Sequence, residues 1–251
     1  MAAGSRRGQV LVVAAFAISV LLLSVNVYVY RNSRIDSSPA YGTLVDYAQH
    51  IRLDSVHVVT ASLVNVSNGG SSSNLGDNLI RWEAFSGGDY RFGSCSLNST
   101  PGSQTPYSDG VWLEWGTPGV GVSSAFVDFT LRVRGRGVEV DWDFQVNRTT
   151  EMRVSGSYAM IVGDLKDISV MMSMLNEGSP VLAQSAILDF FDSGLWNDAS
   201  LEGDYQEMDY GNGTYAFTFR VEVPGAQVDV RIQGVDGRGV FVQAQKALSE
   251  G

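Results

Sequence analysis

Cysteine and histidine are nearly absent from this chain of 251 residues, and their scarcity excludes several kinds of site. Cys95 is the single cysteine, so neither an intrachain disulfide nor a cysteine-based metal site can form. His50 and His57 are the two histidines, and their spacing differs from the i, i+3 or i+4 spacing of metal ligands on a helix. We therefore interpret both histidines as structural residues.

Sequence motifs for catalysis are also missing. The chain contains no P-loop, no H-E-x-x-H zinc motif and no nucleophile elbow. The segment from Gly211 to Ala216 matches the dinucleotide fingerprint superficially, but it precedes a strand pattern and therefore predicts a turn. We predict that the protein is not an enzyme, and we assign no catalytic, cofactor-binding or metal-binding residue.

One acidic stretch has the oxygen ligands that a calcium ion needs, of which it takes about six to eight. Its carboxylates are Asp198, Glu202, Asp204, Glu207 and Asp209. Because EF-hand spacing is lacking, the stretch favours a solvated acidic loop.

Positive charge is scarce beyond residue 34. The formal net charge is −10, and the first 34 residues hold four arginines and no acidic residue. The remaining 13 basic residues therefore stand against 27 acidic ones, a net charge of −14. Binding to nucleic acid requires a basic surface, so the composition excludes nucleic acid as a partner.

A long apolar run occurs near the N-terminus. Residues 10–30 contain no charged side chain, and the arginines that flank them are Arg6, Arg7, Arg31 and Arg34. As an α-helix these residues rise about 31 Å, which matches the hydrocarbon core of a bilayer. The sequence predicts three N-terminal segments: a cytoplasmic N-terminus at 1–9, a transmembrane helix at 10–30 and a linker at 31–42.

A cleaved secretory signal peptide is the weakest interpretation of the apolar run, because such a peptide has a shorter apolar core and a small-x-small exit. Two other interpretations are open. In the first it is an uncleaved anchor, with Tyr28 and Tyr30 in the headgroup layer. The second starts from Arg6-Arg7-Gly8-Gln9, which resembles the class III signal peptide of archaeal type IV pilins and archaeal flagellins. This resemblance is confined to the apolar run and the residues before it. It implies cleavage after Gly8, with Arg7 and Gly8 as the recognition pair and Gln9 as the first residue of the mature chain.

Four N-x-S/T sequons lie in the acidic part of the chain, at Asn65, Asn98, Asn147 and Asn212. Such sequons are acceptors for N-glycosylation in secreted proteins. Together with the acidic charge, they predict a single-pass protein of the cell membrane whose C-terminal part lies outside the cell.

Residues 43–67 carry apolar side chains at close to helical spacing, from Leu44 and Ala48 to Leu63 and Val66. The pattern predicts an amphipathic helix. The density of β-branched residues from residue 56 onward leaves a strand open as the alternative for the second half.

After this helix, the spacing of the apolar residues changes to every second position. This period predicts a first antiparallel β unit at residues 75–150. The clearest alternation runs through 126–134 and 138–147, on either side of a glycine turn at 135–137. Each strand has one apolar and one polar face, so the sheet packs on one side only.

Residues 151–248 predict a second β unit, with alternation at 168–174, 214–223 and 228–232. The segment from Asp209 to Tyr215 resembles the approach to the tyrosine corner of immunoglobulin-like sandwiches, in which a tyrosine bonds back to the preceding loop. This resemblance covers the second β unit and implies an immunoglobulin-like fold without a particular ligand.

The sequence thus predicts a mainly β protein with one N-terminal transmembrane α-helix and an antiparallel β-sandwich ectodomain of one or two units. We expect an anchored surface protein, held in the lipid bilayer by its helix, that presents the sandwich for binding or adhesion to a protein or carbohydrate partner. The alternative is a pilin-like structural subunit, processed after Gly8, that self-assembles into an archaeal surface filament.

Overall fold

A computed structural model describes residues 39–89, 93–116, 118–135 and 138–251. The predicted transmembrane helix at 10–30 and the predicted processing residues Arg7, Gly8 and Gln9 lie outside the described residues. The chain divides into two compact units, one ending at Tyr47 and the other running from Ala48 to Gly251. Among the described residues, neither α-helix combines the length and the apolar character needed to cross a membrane.

In the described part of the chain, two α-helices precede twelve β-strands. The helices are α1 (Pro39–Ser67) and α2 (Asn74–Asp89). The strands are β1 (Ser94–Pro101), β2 (Val111–Glu114), β3 (Val120–Gly135), β4 (Val138–Val162), β5 (Leu165–Asn176), β6 (Ser179–Pro180), β7 (Ala183–Asp192), β8 (Leu195–Asp198), β9 (Gly203–Asp209), β10 (Thr214–Glu222), β11 (Val228–Asp236) and β12 (Phe241–Leu248). The chain is therefore mainly β, which confirms the predicted fold class at that level.

Helix α1 covers the segment 43–67 that the sequence predicts as helical, and it begins inside the predicted linker, at Pro39. Proline fits the first turn of a helix, because the N–H groups there have no intrahelical acceptor. In the second unit its buried apolar side chains are Ala48, Ile51, Val59, Leu63 and Val66, and Ser55, Ser62 and Ser67 are buried with them. This spacing of three or four residues keeps them on one face of the helix.

Helix α2 lies where the sequence predicts β structure from residue 75 onward. Its buried residues Leu75, Leu79, Trp82 and Ser86 follow the helical period, and the first strand begins only at Ser94. The indole N–H of Trp82 donates to the Ser55 hydroxyl at 2.9 Å, and the Asn78 amide donates to the Ser62 hydroxyl at 2.9 Å. Packing against α1 therefore gives this short segment the burial that stabilises a helix.

Sheet A has eight antiparallel strands in the order β1-β3-β4-β5-β10-β9, with β2 also paired to β3 and β6 to β5. In β3 the residues Val127, Phe129, Leu131 and Val133 are buried, and the residues between them are more exposed, as the predicted alternation requires. Glu83 of α2 accepts hydrogen bonds from the N–H and the hydroxyl of Ser99 on β1, both at 2.5 Å. This carboxylate joins the helices to the edge of sheet A.

Sheet B has four antiparallel strands in the order β12-β11-β7-β8. The buried faces of the two sheets share one hydrophobic core, to which β5 contributes every second residue from Ile168 to Met174. Strand β10 adds Tyr215, Phe217 and Phe219, and sheet B adds Leu188, Phe190, Val230 and Ile232 among others. The two sheets therefore pack face to face as a sandwich.

Strand β4 passes through the boundary at 150/151 that the sequence predicts between two β units. Its first part pairs with β3, and its second part pairs with β5 from Thr150 onward. Strand β4 therefore belongs both to the part of sheet A beside the helices and to the part that packs against sheet B.

Candidate binding face

The four predicted sequon asparagines are all exposed, and the fold places them on four separate elements. Asn65 lies on α1, Asn98 on β1, Asn147 on β4 and Asn212 in the turn before β10. They are not brought together into one site. His50 and His57 are exposed on α1.

The acidic stretch predicted as a loop forms β8, a turn of 3-10 helix and the edge strand β9. Its carboxylates have separate local partners. Asp198 accepts from the Ser200 N–H at 2.9 Å, Asp204 pairs with Arg220 at 2.7 Å, and Asp209 accepts from the Gly211 N–H at 2.7 Å. Within the ranges that the structure describes, no group of His, Cys, Asp or Glu is placed to hold a metal ion.

Tyr205 lies among these carboxylates on β9. Partial burial, together with the nearby charge of Glu207, raises the pKa of Tyr205 to about 12. The phenol donates to Glu207 at 3.3 Å and stays protonated at every physiological pH.

The outer surface of sheet B carries a group of polar and aromatic side chains. They alternate along their strands with core residues such as Leu188 and Ile232, so they point away from the core. We call this surface the sheet B face; its residues are Ile187, Asp189, Phe191, Trp196, Arg231, Gln233, Gln243 and Gln245.

An ion pair lies at the centre of the sheet B face. Arg231 on β11 is opposite Asp189 on β7 in the strand register, and its Nε and Nη2 donate to one carboxylate oxygen at 2.9 and 2.6 Å. Asp189 is 7% exposed, and the guanidinium of Arg231 lies 4.6 Å from the ring centre of Trp196. Two charge-assisted hydrogen bonds and a cation–π contact therefore hold the arginine in one orientation.

Two aromatic rings stand beside the ion pair. Phe191 and Trp196 are cross-strand neighbours on β7 and β8, with ring centres 5.2 Å apart in an edge-to-face arrangement. The two-residue loop between their strands, Ser193 and Gly194, has φ values of 51° and 87°. Positive φ at both positions is the type I′ turn that matches the twist of a hairpin, and it fixes the register that brings the rings together.

Carboxamides occupy the other side of the sheet B face. Gln233 and Gln243 are opposite each other on β11 and β12, and the Gln233 amide donates to Gln243 at 3.0 Å. Gln245 lies opposite Arg231 in the register. The face therefore offers a fixed cation, two aromatic rings and a group of amides, which suit non-covalent binding rather than covalent chemistry.

A second polar cluster lies between the sheets and is structural. Asp236 is buried and accepts from the N–H groups of Arg238 and Val240 and from the Thr150 hydroxyl, each at 2.9 Å. Burial raises the pKa of Asp236, but the hydrogen bonds from Val240, Arg238 and Thr150 outweigh it and hold the pKa below its usual value. Arg238 also reaches Glu177 at 2.7 Å, so the cluster ties the turn before β12 to β4 and to the turn between β5 and β6.

Lys166 is a buried cation with a structural role. Its ammonium donates to the backbone carbonyls of Val223 and Gly225 and lies 5.1 Å from the ring centre of Tyr158. These bonds fix the turn between β10 and β11.

The sequence indicates Arg231 only as one polar member of an alternating strand, and it gives no special sign of Trp196 or Asp189. The three residues form one group only through the register that pairs β7, β8 and β11, and a single sequence does not contain that register.

Comparison with known proteins finds no match: no family model fits the chain, and no curated protein or solved structure is similar to it.

Proposed function

We propose that this chain is a membrane-anchored surface protein that binds a partner through the sheet B face, in binding or adhesion at the cell surface. The observation that carries the proposal is the ordered group of Arg231, Asp189 and Trp196 on an outer sheet surface. Arginine and tryptophan are enriched among residues that dominate binding energy, and here both are held in place before any partner arrives.

The anchor and its orientation are supported by the sequence. Residues 10–30 form an uncharged apolar run of the length that a bilayer requires, and the rest of the chain carries a net charge of −14. We infer a single-pass protein whose C-terminal sandwich faces the outside, with the sequons Asn65, Asn98, Asn147 and Asn212 exposed to glycosylation.

We also propose that the sandwich is immunoglobulin-like, and the strand order supports this assignment. The constant-type immunoglobulin sheets are ABED and CFG, and a C′ strand extends the second sheet next to C. Taking β4 as strand A, the order β4-β5-β10-β9 corresponds to A-B-E-D, and β12-β11-β7-β8 corresponds to G-F-C-C′. Tyr215 then lies on strand E rather than F, so the strand order supports the assignment and the tyrosine does not.

A second candidate is the pilin-like subunit processed after Gly8. Besides the segment Arg6-Arg7-Gly8-Gln9, it is favoured by three apolar side chains that are exposed on the helices: Leu53 on α1, and Ile80 and Phe85 on α2. Subunit contacts in a filament bury apolar surface of this kind, whereas an isolated anchored protein leaves it in water.

Adhesion of cells tests the first candidate. Cells that express the full chain are compared with cells that express Phe191→Ala, and Phe85→Ala, which removes an exposed phenylalanine from α2, is the matched control. We expect the Phe191 variant to lose attachment and the control to keep it. Loss of attachment in the Phe85 variant alone would show that the binding surface lies on the helices.

The mass of the N-terminus separates the two candidates. An anchored protein purified from its native membrane keeps Arg6 and Arg7, and a processed subunit begins at Gln9. We expect the intact form. A chain that begins at Gln9 and is no longer produced from a Gly8→Leu variant would overturn the uncleaved anchor.

A further inference from the structure

We infer that the partner of the sheet B face is a neutral glycan, a chain of uncharged hexoses. This inference rests on the proposed binding function and specifies its ligand. It follows from three properties of the face: its charge, its hydrogen-bonding groups and its aromatic rings.

The charge of the face excludes a polyanion. Arg231 is its only basic residue, and Asp189 already neutralises that charge at 2.6 Å. Asp198 and Asp229, which flank the ion pair on β8 and β11, are both exposed. A sulfated or uronic acid polymer would meet net negative charge, whereas a neutral sugar meets no repulsion.

The amides match a ligand made of hydroxyl groups. A hydroxyl both donates and accepts, and a glutamine carboxamide does the same, whereas a carboxylate only accepts and an ammonium only donates. The bond between Gln233 and Gln243 uses one donor and one acceptor, so each side chain keeps further capacity for a ligand. Within the described residues, the Gln245 carboxamide makes no hydrogen bond of its own.

The aromatic rings match the apolar face of a sugar ring. Phe191 is 38% exposed, and Trp196 is its cross-strand neighbour on the same side of the sheet. Trp196 is held by Phe191 and Arg231, so binding would order few additional groups. A planar apolar ring beside fixed polar groups is the arrangement that orients a small polar ligand.

A protein partner fits this surface less well. Protein interfaces have an apolar centre from which charged residues are depleted, and their charged groups lie at the rim. Here a charged pair, Arg231 and Asp189, lies at the centre of the face, on the two inner strands of sheet B.

Titration of the full chain in detergent with defined oligosaccharides tests the inference. The probes are a β-1,4-linked glucose hexamer, an α-1,6-linked mannose hexamer and a galacturonic acid hexamer, and binding is followed by calorimetry. We expect saturable binding of at least one neutral hexamer and none of the galacturonate. Phe191→Ala and Gln243→Ala should each weaken binding by about tenfold, the loss typical of a contact that matters.

Two control variants replace the same residue types, phenylalanine and glutamine, at positions outside the sheet B face. Phe85→Ala removes an exposed phenylalanine from α2, and Gln145→Ala removes an exposed glutamine from the outer surface of sheet A; both should leave binding unchanged. The inference is overturned if neither neutral hexamer binds, if the galacturonate binds more tightly, or if the Phe191 and Gln243 variants bind normally. Should the hexamers fail while Phe191→Ala still abolishes cell attachment, the ligand is wrong and the binding function stands.

Discussion

The hydroxyl of Tyr215 accepts a hydrogen bond from the backbone N–H of Ala183 at 2.9 Å. Tyr215 lies on β10 in sheet A, and Ala183 is the first residue of β7 in sheet B, so this bond joins the two sheets of the sandwich. The sequence predicts a bond from this tyrosine to the loop just before its strand. The observed partner is instead 32 residues upstream.

Replacing Tyr215 with phenylalanine should lower the free energy of unfolding by about 1 to 2 kcal/mol, because the Ala183 N–H loses its acceptor while the ring stays buried. Urea unfolding of the full chain in detergent measures the change. Tyr210→Phe is the control, since Tyr210 is exposed and its variant should unfold like the wild type. Equal losses in both variants would mean that the inter-sheet bond contributes nothing.

Phe217→Ala should destabilise the protein by about 3 to 5 kcal/mol, because the ring is 0% exposed in the core between the sheets. Asp141→Ala should change the free energy of unfolding by less than about 0.5 kcal/mol, since Asp141 lies on the wet face of β4. Similar losses in the same urea titration would contradict the assignment of one buried and one wet face to sheet A.

Gly121→Ala should cost about 1 to 3 kcal/mol or more, because an added Cβ would lie 1.9 Å from the backbone oxygen of Gln243. Strand β3 and strand β12 approach each other closely at this position. The matched control is Gly116→Ala, whose Cβ would meet no atom within 4 Å. If both variants melt at the same temperature, the two strands are farther apart than the structure places them.

Acid should weaken the protein through Asp236, whose pKa in the folded state lies below its ordinary value of about 4. The folded state binds this proton less readily than the unfolded state. The carboxylate therefore stabilises the fold above about pH 4, and this contribution is lost as the pH falls through the lowered pKa. Asp236→Asn should be less stable than the wild type at neutral pH, and the difference should shrink below pH 4. A difference that is constant with pH would show that Asp236 is not ionised in the fold.

The elements with a long, regular pattern could be predicted from the sequence. Strands β5 and β10 and residues 126–134 of β3 alternate because one face is buried and the other is more exposed, and α1 keeps a helical period. The segment of α2 is short and follows a glycine-rich loop, and its helical state depends on tertiary contacts such as that of Trp82 with Ser55. The pattern of residues within one segment does not show which other segments it packs against.

The binding face could not be predicted for a related reason. Arg231 and Asp189 are 42 residues apart in sequence, and Trp196 joins them only through the pairing of β7 with β8. Each residue alone is an ordinary polar or aromatic member of a strand. Only the strand register turns the three into one group.

Hydroxyl-radical footprinting of intact cells, read by mass spectrometry, tests whether the sheet B face is the binding surface of an extracellular domain. We predict that Phe191 is oxidised in intact cells and that attachment of the cells protects it. Met208, exposed on β9 in sheet A, should be oxidised equally in attached and unattached cells. Oxidation of Phe191 only after lysis, or protection of Met208 as strong as that of Phe191, would contradict the proposed function.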